Sequence, residues 1–228
     1  MPNALIIYVS GNNSSAALAS RLDSKGYKVH RIKMTAPNGG ILWGKSNGQK
    51  PTGKLLGSIY YDKVFLIGHH GVVDRLNPTT RGIGSETGLL SNDIIIGSLF
   101  RFGLQQPKKI ILILCKASNG SNIGNAKDDD IGYSTGHNFA SRLAEINWFN
   151  VEVHAYTSEV GVIDEAMHKL FTQLAATKSS QPYKVLPIGS RYLPNDADPY
   201  RPHRPRSTKN SKMRFYFQNQ VLCCGMVY

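Results

Sequence analysis

Two stretches decide the fold: KVFLIGHHG at residues 63–71 and KIILILC at residues 109–115. Each opens with a short, continuous apolar run, the pattern of a strand buried on both faces of a parallel sheet. Between them, Ser91 or Asn92 can cap a helix whose apolar face carries Ile94, Ile95, Leu99 and Phe102, with Pro107 to close it. Strand, helix, strand in that order makes a right-handed parallel crossover.

The same alternation extends in both directions. ALIIYVS (4–10) reads as another buried strand, followed by a helix that Asn13 or Ser14 can cap. Ala16, Ala17, Leu18 and Leu22 give that helix its apolar face, and Gly26 sits where a left-handed C-terminal cap belongs. YKVHRIK (27–33) alternates like a half-exposed or edge strand, and the glycine-rich stretch 36–58 reads as a long loop or loose hairpin. Residues 71–90 look irregular. A helix over 137–149, a strand VEVHAY at 151–156 and a helix over 162–176 follow. Beyond 181 a proline-rich segment gives way to the period-2 run MRFYFQNQVL (213–222), which predicts an extended flap ending in antiparallel strands. The fold class is therefore α/β, a mostly parallel central sheet flanked by helices over 1–180, with a basic C-terminal β-flap over 181–228 of the same domain.

At 228 residues the chain can bury a full core, and its longest apolar run, IILIL at 110–114, is too short to cross a bilayer. The start MPNALIIYVSGNN lacks the basic flank and cleavage site of a secretory signal. Lys and Arg number 27 against 15 Asp and Glu, a net charge of +12. The last 28 residues hold six of those bases and no acid, so half of the excess sits in the tail. Such a field attracts polyanions: nucleic acid, an acidic membrane or a small polyphosphate. The cysteines are Cys115, Cys223 and Cys224; an odd count with two adjacent members leaves at least one thiol free and points to a reducing compartment.

Functional groups of an open parallel sheet collect at the carboxyl ends of its strands. One such end here carries His69, His70 and Gly71, and the next carries Cys115. An imidazole that takes the thiol proton yields a thiolate able to attack a carbonyl. Gly71 lets a substrate backbone approach and offers an N–H to the developing oxyanion, with the N–H of Cys115 as a second donor. A dyad without a third member suffices. The competing reading of each residue alone is a small core cysteine and a satisfied turn histidine.

An apolar strand ending in His-Gly, then one ending in Cys 45 residues after His70, resembles the caspase-like clan of cysteine peptidases. More narrowly, KVFLIGHHG, SNDIIIGSLFRFGLQQPKKIILILCKASNG, HNFASRLAEI and VEVHAY with TSEV after it resemble, in order and spacing, the inositol hexakisphosphate-activated cysteine protease domains of large clostridial and MARTX toxins, over residues 60–160. The resemblance implies a self-cleaving or effector-type bacterial peptidase acting in a host cytosol. It makes Cys115 the nucleophile, His70 the general base and Gly71 the oxyanion site. The family reads Gly-His-Gly where this chain has Gly-His-His-Gly, so His69 is the alternative base. The family also often places an acid behind the histidine, where Asp62 or Asp74 would stand in this chain without a clear match.

The resemblance also gives the flap a ligand, inositol hexakisphosphate, as activator. Arg201, Arg204, Arg206, Lys209, Lys212 and Arg214 are the cations expected to hold it, with Lys28 and Arg31, and beside them Lys25 and Lys33, as weaker candidates from the first αβ unit. A solvated basic tail competes with that reading, and a noncatalytic α/β module binding nucleic acid or phosphoinositide is the alternative function. No RNP-type motif accompanies the charge. GNNSSAAL lacks the spaced glycines and Lys-Ser/Thr of a P-loop, His69, His70 and Cys115 lack a further ligand for zinc, and DDD at 128–130 lacks the EF-hand pattern. No metal is expected. Substrate preference and oligomeric state are not legible.

Overall fold

The computed structural model describes residues 1–10, 12–35, 42–43, 56–72, 81–85, 88–115, 117, 134–158, 160–177, 185–193, 206–208 and 211–227. Strand β1 (Asn3–Tyr8) leads into helix α1 (Asn12–Asp23), which begins just before the expected caps and ends at Gly26 with φ of 81°. β2 (Lys28–Thr35) returns parallel to β1 and carries the two-residue strand β3 (Leu42–Trp43) on its outer side. β4 (Lys63–Ile67) pairs with β1 on the side away from β2.

The described residues of 71–90 are not irregular; 73–80 and 86–87 lie outside them. β5 (His69–Val72), β6 (Arg81–Ser85) and β7 (Gly88–Ser91) form an antiparallel meander beside the main sheet. Its signal was hidden because glycines at 71, 82, 84 and 88 interrupt the alternation that marks a strand. Helix α2 (Asn92–Arg101) follows directly, capped by Ser91, whose side chain accepts the Ile94 N–H. It stops short of the expected boundary because Gly103 turns the chain with φ of 81°.

β8 (Lys109–Ile113), helix α3 (Thr135–Glu145) and β9 (Glu152–Tyr156) complete the parallel part. The helix expected at 162–176 is α4 (Glu165–Thr177); the residues before it form β10 (Gly161–Val162), which pairs with β11 (Arg191–Leu193) and through it with β12 (Arg206–Ser207). The antiparallel ending is a hairpin, β13 (Lys212–Gln218) and β14 (Val221–Met226). Among the described residues the main sheet has eight strands in the order β14-β13-β9-β8-β4-β1-β2-β3, with β2, β1, β4, β8 and β9 parallel. The expected α/β class, a mostly parallel central sheet flanked by helices, is what the chain adopts.

Alternate residues of the central strands pack on opposite faces. Leu5, Ile7, Val64, Leu66, Ile110, Leu112 and Leu114 pack with Ile95, Ile96 and Leu99 of α2 and Phe139 and Leu143 of α3. Ala4, Ile6, Phe65, Ile67, Ile111 and Ile113 face the other way, onto Ala17, Leu18 and Leu22 of α1. Burying each large aliphatic side chain contributes roughly 1.5–3 kcal/mol, so this two-sided packing fixes the register on which the site depends. Among the described residues no helix is long and apolar enough to cross a membrane.

Candidate active site

β4 and β8 are hydrogen-bonded neighbours, with Ile67 opposite Ile113. Their carboxyl ends therefore leave the sheet side by side, the first toward His69, His70 and Gly71, the second toward Cys115. The central strand does not run straight into the histidines. It ends at Ile67, and at Gly68 the chain forks away from the main sheet into β5. A Cβ on Gly68 would lie 2.9 Å from the Gly84 carbonyl oxygen and 3.5 Å from Val9 Cβ, so the fork admits only glycine at this spacing. His69 then pairs with Gly84, His70 with Ile83 and Gly71 with Gly82. His69 is exposed.

Cys115 is partly buried, as is Cys223 on β14, while Cys224 beside it is exposed; none of the three is in a disulfide. Position 115 continues the face of Ile111 and Ile113, and its Sγ lies 3.8 Å from the Val160 carbonyl oxygen, which accepts from the thiol. Ala117, two residues on, accepts a 2.7 Å hydrogen bond from the N–H of Gly136 in the first turn of α3, a helix capped by Ser134. The stretch after the thiol thus returns to the positive end of that helix. Asp62 does not belong to this edge. It sits at the opposite end of β4, where its carboxylate accepts from the Asn3 N–H and pairs with Lys108 at 3.0 Å; the Lys108 hydrogen bond holds its carboxyl below the usual range. Asp74 lies outside the described residues.

The cations expected to hold an activator are dispersed. Arg201, Arg204 and Lys209 lie outside the described residues, as does the DDD run, and Arg206 lies on β12. Arg31 ties β2 to the start of α1, donating to the Asn12 carbonyl oxygen and side chain and to Ser15 Oγ at 2.7 Å. Lys28 and Lys33 are exposed on β2. Arg214 pairs with Glu152 at 3.3 Å and stacks over Tyr216. Glu152 also pairs with Lys109 and His154, each at 3.1 Å, so one carboxylate joins β8, β9 and β13. Burial pushes His154 down to about 4, against the opposing effect of the hydrogen bond it donates to Glu152.

Lys212 has a different setting. Burial, and then the neighbouring cations Arg191, Lys109 and Lys63, pull its ammonium below the ordinary lysine range. Next to it a cavity of about 360 Å³ opens on the α1 face, lined by Arg21, Lys25, Lys63 and Arg191 with Tyr27, Ser190 and Thr208, and by no carboxylate among the described residues. Of the described residues read from the sequence, Lys25 and Lys212 belong to this cluster. Arg21, Lys63, Lys109 and Arg191 were missed because they come from four separate elements and carry no motif. The cavity floor includes Phe65 and Ile111; Cys115 follows Ile111 by four residues of one chain, roughly 13 Å at strand rise.

Among the described residues, no group of three His, Cys, Asp or Glu side chains is placed to hold a metal ion. No family model matches the chain, and no curated protein matches it. Among solved structures, the chain is similar to a secreted C11 cysteine protease from Bacteroides thetaiotaomicron, seen by X-ray in complex with an irreversible peptide inhibitor, at 9% identity and a TM-score of 0.35. The match covers 79% of this chain and 55% of that one, so this chain spans little more than half of that protein's length. A likeness at this level bears on neither family nor activity.

Proposed function

We propose that the chain is a cysteine endopeptidase of the caspase-like clan in which Cys115 is the nucleophile, His70 the general base and Gly71 an oxyanion donor. The observation that carries the reading is the pairing of β4 with β8, which brings an imidazole-bearing chain end and a thiol-bearing chain end to one edge of the sheet. The imidazole takes the thiol proton, and sulfur attacks the carbonyl carbon of a protein or peptide substrate. The carbon–nitrogen bond breaks as the imidazolium returns the proton to the leaving amine, and water then hydrolyses the thioester. His69, which begins β5 level with the end of β8, is the alternative base.

The activator is part of the same proposal. Inositol hexakisphosphate carries the dense negative charge that the cluster of Arg21, Lys25, Lys63, Arg191 and Lys212 favours, around a cavity that no described carboxylate lines. The toxin- or effector-type role in a host cytosol, and self-cleavage, rest on the sequence resemblance. The test is alkylation of the three thiols by iodoacetamide with and without the polyphosphate. The expected result is that Cys115 reacts much faster than Cys223 and Cys224, and faster again with the activator. Equal, slow labelling overturns the peptidase and leaves a noncatalytic module that binds polyanions such as nucleic acid or phosphoinositide through the basic face.

A further inference from the structure

Tyr192 of β11 pairs with Gly161 of β10, and its ring lies against that glycine. A Cβ at 161 would come within 2.5 Å of Tyr192 Cε1, 2.8 Å of Cζ and 3.0 Å of the hydroxyl oxygen. Phe171 of α4 meets the same ring edge-to-face, with centroids 5.5 Å apart. Val160, the residue before Gly161, is the one whose carbonyl oxygen accepts from the Cys115 thiol. Two consecutive residues therefore touch the sulfur and the phenol.

The resting contact suits a protonated thiol and not a thiolate, because a carbonyl oxygen repels an anionic sulfur. A thiolate there is stabilised by a hydrogen-bond donor. Tyr192 is suited to that role: burial, then the negative charges of Asp164 and Cys115, raise its pKa above the usual tyrosine range, so it keeps its O–H at neutral pH. Among the described residues the titratable groups facing the phenol are these two, Cys115 from the end of β8 and Asp164 ahead of α4; the Asp164 Oδ1 already accepts the Met167 N–H at 2.9 Å. The adjoining Arg191 of β11 lines the cationic cavity.

We propose that Tyr192 is a positioning residue for the nucleophile: its ring holds the Val160–Gly161 backbone against the resting thiol, and its hydroxyl donates to the Cys115 sulfur once that sulfur is a thiolate. The phenol keeps its proton throughout; the thiol proton goes to the imidazole. This inference rests on the peptidase reading for its purpose, but its chemistry is read on the thiol itself.

The experiment uses the full chain with Cys223→Ser and Cys224→Ser, so that Cys115 is the sole thiol. The rate of iodoacetamide alkylation is followed against pH for this parent, for Tyr192→Phe and for Tyr192→Ala, beside peptide turnover and melting temperature. Tyr192→Phe, which keeps the ring, is expected to leave the melting temperature unchanged and raise the alkylation midpoint by about one pH unit, a roughly tenfold loss of thiolate at neutral pH. It should lower kcat about tenfold with KM unchanged. Tyr192→Ala should show the same shift with a lower melting temperature. An unchanged midpoint in Tyr192→Phe overturns the proposal, even where turnover depends on Cys115. A shifted midpoint in a chain that hydrolyses no peptide upholds the positioning role and removes only the peptidase reading.

Discussion

Ile67 and Ile113 lie opposite each other on the parallel strands β4 and β8, and two residues further along each chain stand His69 and Cys115. The ladder, rather than the 45-residue separation of His70 and Cys115 in the sequence, is what brings the two chain ends to one edge of the sheet. Single-alanine variants at the two histidines distinguish the bases. Loss of the general base should lower kcat by about 10²- to 10⁴-fold, and His70→Ala is expected to show it while His69→Ala retains most activity; steady-state peptide hydrolysis is the measurement. Cys115→Ala should abolish turnover and leave the melting temperature essentially unchanged, since the side chain is only partly buried.

The cationic cavity gives a prediction independent of catalysis. Inositol hexakisphosphate should raise the melting temperature through ligand linkage, by an amount that falls as salt is added. Lys63→Ala combined with Arg191→Ala should remove most of that rise, whereas Lys28→Ala, exposed on β2, should not. Calorimetric scans of the three proteins at low and moderate salt would show it.

Acid should weaken the fold, through His154 in particular. Its pKa in the folded chain, about 4, lies below the unfolded value of 6.5, so the unfolded state binds the extra proton between those values. The contribution is complete above pH 6.5 and is lost as pH falls toward 4, at most about 3 kcal/mol. Glu152, held low by its hydrogen bonds from His154 and Lys109 although burial opposes them, acts in the same direction at lower pH, as its carboxylate becomes protonated. The melting temperature should therefore drop between pH 7 and 4, and His154→Gln should flatten the upper part of that drop.

A stability test addresses the contact between α3 and the flap. A methyl group on Gly136 would sit 2.6 Å from Phe215 Cε2 and 2.9 Å from Ala155 Cβ, both in the core. Gly136→Ala should cost about 1–3 kcal/mol, the usual penalty of overpacking, seen as a lower midpoint in thermal or urea unfolding.

The parts of this molecule that were legible in sequence are those whose burial is two-sided or strictly periodic. β1, β4 and β8 stood out because Ala4–Ile7, Val64–Ile67 and Ile110–Leu114 are apolar without interruption, and β9 because Val153, Ala155 and Tyr156 are buried around His154 alone. Ser91 announced α2 correctly, since a capping side chain acts within one turn. What escaped was structure built from glycines or from distant pieces: the β5–β7 meander, the β10–β11 pairing under Tyr192, and the cluster in which Lys63, Lys109, Arg191 and Lys212 meet. The flap hairpin was foreseen from its alternation, but Arg214 proved to be committed to Glu152, because charge along a strand does not reveal which neighbour it will find across the sheet.

The bond from Gly136 N–H to the Ala117 carbonyl oxygen ties down the chain shortly after Cys115. With β8 and α3 each embedded in the core on either side of it, a peptide bond severed anywhere from 118 to 133 would release nothing. The nicked protein would persist as two polypeptides clasped in one body, separable only by denaturation.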